Sequence, residues 1–317
     1  MLPDMPDTER IPIFIATDMS ADDVVAVLYL LRQPDVDVLG IGSSNGVAHV
    51  EPAAANVLRL LALVGRQDIP VAVGSDSPLE GDHAFPSPWR KEADRLFGLS
   101  VPQVKAQPVL ASTATLLTSV VNAHRGEVVV LLLGAHTDLA LALRKDHGLA
   151  NRIKGVHMMG GAVHVPGNIH AEYSAVSNHS AEWNLWLDYR AAAEVFESGI
   201  PLTVVPLDAT SKVHVDQEHV ERLEAEAKAP AAETVAQLWR SHTASFGATY
   251  ITDVVAAVAL TLPDSAQWEW RSLAVVTDRP NDLGQTLLQP ERPPNAKVCL
   301  GIDAPRQLDE LIRVLNQ

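Results

Sequence analysis

Cysteine is almost missing from this sequence: the 317 residues contain one, Cys299. A lone thiol cannot close an internal disulfide, and its isolation points to a reducing, cytoplasmic setting. It sits in an apolar run, so a buried core thiol is expected there rather than a nucleophile. Paired cysteines and His-x-x-x-His spacing are also missing, which removes the usual zinc arrangements. Positive charge is scarce: 24 Lys and Arg face 39 Asp and Glu, for a net charge of −15. Such a chain has no positive field to offer a nucleic acid or an anionic membrane. No apolar run reaches the ~18–20 residues of a membrane helix. The first ten residues are acidic and proline-rich, unlike a signal peptide. Repeats, low-complexity tracts and linkers are lacking, so residues 1–317 are expected to form one domain.

What is present is an alternation of strand-like and helix-like segments. Apolar runs at 11–16, 36–43, 69–74, 127–134, 153–161, 201–206, 272–277 and 296–302 predict strands. Segments at 22–32, 52–64, 111–122, 138–144, 187–197, 253–260 and 308–315 carry apolar residues at helical spacing, and 215–240 predicts one or two charged helices. This order implies an α/β fold with an open, mainly parallel sheet flanked by helices. Two stretches break the rhythm, 81–98 and 162–181, and long irregular segments of this kind are usually functional loops.

The chain is organised around residues 13–23. An apolar strand stops at Thr17, and Asp18, Asp22 and Asp23 follow before a helix begins. An aspartate at a helix start caps free N–H groups, and one alone would need no other explanation. Three within six positions repel one another unless a cation lies among them. Their hard oxygens suit Ca²⁺ or Mg²⁺. A dehalogenase-type phosphatase site would require an aspartate where Ser20 stands. Asn45, Thr137, Gly160-Gly161 and Asp208 each follow a predicted strand, and Thr252-Asp253 opens a late helix. In a parallel sheet these positions share the edge formed by the C-terminal strand ends, where open α/β folds hold ligands.

In this order the residues resemble the inosine–uridine preferring nucleoside hydrolase family. Its Asp-x-Asp-Pro-Gly-x-Asp-Asp signature corresponds to residues 16–23, Ala-Thr-Asp-Met-Ser-Ala-Asp-Asp, and its Gly-Pro-Leu-Thr-Asn to 134–138. Met159-Gly160-Gly161, Ala181-Glu182-Trp183-Asn184, Pro206–Thr210 and Thr252-Asp253 follow the family's later motifs. The resemblance implies a Rossmann-like sheet and a Ca²⁺-dependent hydrolase that cleaves a ribonucleoside to ribose and base, as a homodimer or homotetramer. It implies that Asp18, Asp23, Asp253 and the backbone carbonyl of Thr137 ligate calcium, and that Asp18 is the general base for the attacking water. Asp22, Asn45, Glu182 and Asn184 would hold the ribose, with Asn178 preferred over Asn168 for one further contact because it lies nearer Glu182.

The chain departs from the family pattern at Ala16 and Met19-Ser20, and above all at Thr252, where many members carry a histidine beside the base. Threonine cannot protonate a leaving nitrogen near pH 7. His83 is therefore a candidate acid, and Trp89, Trp183 and Trp186 are candidates for stacking on the base. Two alternatives stand beside the hydrolase: turnover of an atypical riboside needing no histidine acid, and a nucleoside-binding protein that kept the site without turnover.

Overall fold

A computed structural model describes residues 10–317, so the acidic segment before Arg10 lies outside the described residues. An eight-stranded sheet forms the centre. Its strands in chain order are β1 (Ile11–Thr17), β2 (Val36–Ser43), β3 (Val71–Ala72), β4 (Val129–Leu132), β5 (Gly155–Met159) and β6 (Leu202–Val205), with β9 (Ala266–Arg271) and β12 (Ala296–Ile302) added late. Two ribbons stand apart, one pairing β7 (His214–Val215) with β8 (Thr249–Tyr250), the other β10 (Leu273–Val275) with β11 (Thr286–Leu288).

The order across the sheet is β3-β2-β1-β4-β5-β6-β12-β9. All neighbours run parallel except β9, which pairs antiparallel with β12. The chain thus winds outward from β1 in both directions, and the point of reversal lies between β1 and β4. Ligand crevices form at such a switch point, because the connections leave the two strand ends in opposite directions.

The central strands are apolar on both faces because helices cover both. Ile13 and Ile15 point into one buried cluster, Phe14 and Ala16 into the other. The helix Ala21–Arg32 is buried from Asp23 to Leu31 and packs against the helices Thr252–Thr261 and Ala304–Leu315. Its hydrophobic perimeter, Val-Val-Ala-Val-Leu-Tyr-Leu-Leu, explains why it lies inside the helical layer.

Two expectations need correcting, and one strand went unexpected. The segment 81–98 contains a helix, Ser87–Asp94, started by Pro88 in its first turn. The strand expected near 272–277 is β10, which pairs with β11 outside the main sheet. The edge is instead β9, Ala-Gln-Trp-Glu-Trp-Arg, whose mostly half-exposed or exposed residues lack the apolar run that marks a central strand. Cys299 is buried in β12, and burial pushes its thiol up to about 11, so it stays protonated.

Candidate functional site

Thr17 ends β1, and the chain turns sharply at Met19, a buried non-glycine residue with φ of 56°. A left-handed methionine costs about 1 kcal/mol or more, and such strain persists where the surroundings over-determine it. Here Met19 N–H donates to Thr17 Oγ1 at 3.1 Å. The turn delivers Ser20 to the N-cap of the helix, where its hydroxyl accepts from Asp23 N–H while Asp23 Oδ2 accepts from Ser20 N–H at 2.9 Å.

Ser20 is the hub of the carboxylates. Its N–H also lies 3.2 Å from Asp18 Oδ1. Its hydroxyl donates to Asp22 Oδ1 at 2.6 Å and stands 3.5 Å from Asp253 Oδ2. Asp22 Oδ2 accepts from Thr252 Oγ1 at 2.8 Å and from Asp253 N–H at 2.9 Å. The start of the late helix is thereby tied to the start of the first.

Asp18 is held from the β2 side as well. Val47 N–H donates to its Oδ2 at 2.9 Å, and Ala48 N–H donates to its main-chain carbonyl. Gly46 lets this loop approach: a Cβ there would fall 1.8 Å from Asp18 Oδ2. Burial pushes the Asp18 carboxyl up to about 6. Asp23, fully buried beside it, is raised by burial and by the Asp18 charge. Asp253 is raised by burial and by the charges of Asp22, Asp23 and Asp18.

These groups floor a cavity of about 580 Å³. Among the described residues, six carboxyl side chains line it, Asp18, Asp22, Asp253, Glu92, Glu172 and Glu182, and no Lys or Arg does. Glu182 accepts from Asn184 N–H, Gly161 N–H and Leu185 N–H, and burial raises it to about 7. The left-handed Gly161 (φ 85°) turns its N–H to that carboxyl. Asn184 Nδ2 lies 3.4 Å from the Leu133 carbonyl and 3.3 Å from that of Met159. The opposite wall is apolar: Phe85 stacks on Trp183 at 4.3 Å, and Trp89 meets Trp183 edge-on.

Of the residues expected from the sequence, Asp18, Asp22, Glu182, Asn184, Asp253, Trp89 and Trp183 line this cavity. Asp23 lies buried directly behind Asp18. The others stand elsewhere. Thr137 is off the lining and donates through Oγ1 to Asp188 at 2.6 Å. Leu133, immediately after β4, lines the cavity, and its N–H is bonded to the Ala16 carbonyl beside Asp18. Leu133 leaves the strand next to β1 level with the residues that lead into Asp18, where Thr137 does not reach. Asn178 is consumed internally: Nδ2 donates to the Leu283 carbonyl, and Oδ1 accepts from Ser180 N–H and Ala181 N–H. Asn168 lines the cavity instead, with Oδ1 buried and unpaired. Asn45 is buried beside the cavity without lining it. His83 stacks on Trp186 at 3.9 Å and bonds its carbonyl through Nδ1, so both are drawn away from the base-pocket roles expected of them. Asp208 anchors the second irregular loop by accepting from Val163 N–H and His164 N–H.

Several lining residues were passed over in the sequence. Glu172 accepts from Trp183 Nε1 at 2.9 Å and from Asn168 Nδ2. His242, Ser245 and Phe246 come from the end of the helix Pro230–Phe246. A His and a Phe spaced i, i+4 beside Gly247, just past the end of a charged helix, were the available signal.

Among the described residues, no three His, Cys, Asp or Glu side chains already stand as a metal cage. The donor chemistry nevertheless suits a hard cation. Asp253 Oδ1 is buried without a partner, Asp23 lies buried beside Asp18, and Leu133 lines the same cavity as Asp18 and Asp253. Oxygen-only donors select Ca²⁺ or Mg²⁺ over softer metals.

Comparison with known proteins agrees with this geometry. The family model described as inosine-uridine preferring nucleoside hydrolase matches residues 13–309. The chain is 30% identical over 258 residues to uridine nucleosidase 1 of Arabidopsis thaliana, covering 80% of this chain and 74% of that one. It is 32% identical over 228 residues to the pyrimidine-specific ribonucleoside hydrolase RihA of Citrobacter koseri, covering 72% and 70%. Among solved structures, a plant nucleoside hydrolase superposes with a TM-score of 0.84 at 26% identity, over 96% of this chain and 98% of that one. With the sheet order, the cavity at the strand ends and the ordered motifs in accord, the chain belongs to the inosine–uridine preferring nucleoside hydrolase family and is an N-glycosyl hydrolase.

Proposed function

We propose that the protein hydrolyses the N-glycosidic bond of a ribonucleoside, with Asp18 as the base that activates water and a calcium ion at the carboxylate floor. The observation that carries this reading is the charge of the cavity: six carboxyl side chains, no Lys or Arg, and an aromatic wall on one side. Cleavage of an N-glycosidic bond builds positive charge on the sugar ring, and a preorganised negative pocket favours that state over the ground state.

Asp18, Asp23, Asp253 and the Leu133 carbonyl would hold the cation. Bound there, it would offset the repulsion among the carboxylates and lower the pKa of a water at the site. Asp18 is fixed by Ser20 N–H and Val47 N–H, so its carboxylate meets the water without first reorganising. Glu182, Asn184, Asn168 and Asp22 surround the same space with oxygen acceptors for ribose hydroxyls. Asn184 spends its Nδ2 on main-chain carbonyls, which leaves its Oδ1 for the sugar. Holding the ribose by several hydroxyls sets the anomeric carbon before the water, a positioning effect worth several powers of ten in rate. Phe85, Trp89 and Trp183 would receive the base. Uridine is the first substrate to test, because one relative above is named a uridine nucleosidase and the other a pyrimidine-specific hydrolase.

The test is release of reducing sugar from a panel of purine and pyrimidine ribosides. Release is expected with Ca²⁺, lost on chelation and restored by adding Ca²⁺ back. Asp18→Asn should lower kcat by about 10²–10⁴, the usual value of a general base. Failure of the Ca²⁺-loaded protein to release sugar from any riboside overturns the proposal.

A further inference from the structure

Expelling a nucleobase leaves an electron pair on a poor leaving group, and a proton delivered in the transition state is worth about 10²–10⁴ in rate. The position where the family resemblance expects a histidine is closed to this task. Thr252 Oγ1 already donates its hydrogen to Asp22 Oδ2. The cavity carboxyls are engaged as acceptors: Glu182 by three backbone N–H groups, Glu172 by Trp183 and Asn168, and Glu92 by Arg95. Tyr250 packs its ring against His214, on the β7–β8 ribbon.

We propose that His242 is the acid that protonates the departing base, an inference that rests on the hydrolase reading above. His242 is the one histidine among the residues lining the cavity. It lies near the end of the helix Pro230–Phe246, half-buried, with its ring edge-on to Phe97 at 5.3 Å and 6.0 Å from Phe246. It also borders a small crevice shared with Asp22, next to the carboxylate floor. Nδ1 stands 3.1 Å from the Leu238 carbonyl, which can only accept. That contact fixes the proton of the neutral ring on Nδ1 and leaves the Nε2 lone pair free to take up and pass on a proton. Nε2 has no hydrogen-bond partner among the described residues. The ring is thereby oriented, and its working nitrogen is uncommitted.

The step balances. The C1′–N bond breaks and its electron pair goes to the base. The proton on Nε2 of the imidazolium passes to that base. The water oxygen bonds to C1′ and gives its proton to Asp18. Afterwards Asp18 carries one proton more and His242 one fewer, and exchange with solvent restores both. Ribose and neutral base leave.

The test compares two leaving groups on the Ca²⁺-loaded protein. One substrate is the best natural riboside from the panel; the other is 4-nitrophenyl riboside, whose phenolate departs without a proton. His242→Gln and His242→Phe are both measured, so that a folding defect in one does not decide the matter. In both variants kcat on the natural riboside should fall about 100-fold or more. On 4-nitrophenyl riboside the loss should be less than threefold. Equal losses on the two substrates would make His242 a structural residue, and no loss on either would remove it from the reaction; each result overturns the proposal. Wild-type protein that cleaves neither substrate fails the hydrolase reading itself, which separates the two failures.

Discussion

Gly46 offers a way to disturb the proposed base without touching it. A Cβ added there would lie 1.8 Å from Oδ2, 2.3 Å from Cβ and 2.4 Å from Cγ of Asp18. Carbon contacts settle near about 3.5–4 Å, so Gly46→Ala demands more than about 1 Å of clearance. A rotamer change cannot supply it, because the Asp18 Cβ is itself overlapped. Either the loop carrying Val47 or the end of β1 must retreat, and in both cases the Val47 N–H bond to Asp18 is lost. Gly46 is not among the positive-φ glycines, so alanine suits its backbone and the damage falls on Asp18 alone. A displacement of about 1 Å in a catalytic group costs about 100-fold in rate, while overpacking of this kind costs about 1–3 kcal/mol of stability. Gly65→Ala is the control. Gly65 has φ of 73° and nothing within 4 Å of an added Cβ, so the substitution strains backbone far from the cavity. It should cost about 1–2 kcal/mol and leave activity within twofold. The assay is kcat/KM for the best riboside, with thermal unfolding measured in parallel. A Gly46→Ala enzyme that keeps more than a third of wild-type kcat/KM would refute the argument, since the position of Asp18 would then not limit the reaction.

Two further outcomes follow from the buried charges. Asp253 is held above its usual range by burial and by three neighbouring aspartates, with Oδ1 unpaired. Asp253→Asn should therefore stabilise the cation-free protein by about 0.5–2 kcal/mol, the size of other gains made at strained functional sites. It should also abolish the rise in Tm on adding Ca²⁺; a variant that is less stable than wild type in chelator, or that still responds fully to Ca²⁺, contradicts this. His157 is buried in β5, bonds the Ala256 carbonyl at 2.9 Å, and is pushed down to about 4 by burial. An unfolded chain protonates the same ring near pH 6.5, so between pH 6.5 and 4 the unfolded state binds more protons and stability falls as the pH falls. At pH 5 the loss from this one ring is about 2 kcal/mol. His136, also held near 4, adds a similar share. Buried carboxyls such as Asp138 and Glu182, raised to about 7, gain stability over the same interval, so the readout is the difference between proteins. In denaturant unfolding at pH 8 and pH 5, the pH-dependent change of His157→Gln should be about 2 kcal/mol more favourable to pH 5 than that of wild type, and identical changes would refute the assignment.

The sequence carried the architecture because its central strands are apolar on both faces and helices of ordinary period separate them. β9 escaped because its alternation is weak and its residues are mostly half-exposed or exposed. At the site, residues close in sequence to a strand end were legible: Asp18 and Asp22 lie where the alternation places them, whereas Glu182, after the second irregular loop, was named only through the family resemblance. Spacing misled where the chain loops back. Asn178 is nearer Glu182 in sequence than Asn168, yet the irregular loop turns Asn178 toward the Leu283 carbonyl and leaves Asn168 facing the cavity. Thr137 was named for a main-chain carbonyl, which any residue has, so only the register of β4 against β1 could show that Thr137 stands off the cavity and Leu133 lines it. His242 was passed over because its one signal, a Phe four residues on, sits at the end of a helix that reads as a charged surface element.

The bond between Ser20 and Asp253 spans 233 positions, and Asp22 is gripped by Thr252 and by the main chain of Asp253. During synthesis, Asp18, Asp22 and Asp23 are made almost at once, but their last partners emerge after four-fifths of the chain. A nascent or truncated polypeptide ending before Thr252 has the first carboxylates and lacks the groups that restrain Asp22 and complete the floor. On the proposed roles of Asp22 and Asp253, a chain ending before Thr252 would not cleave nucleosides, and a cation that binds only the completed floor would act as a clamp on the last stage of assembly.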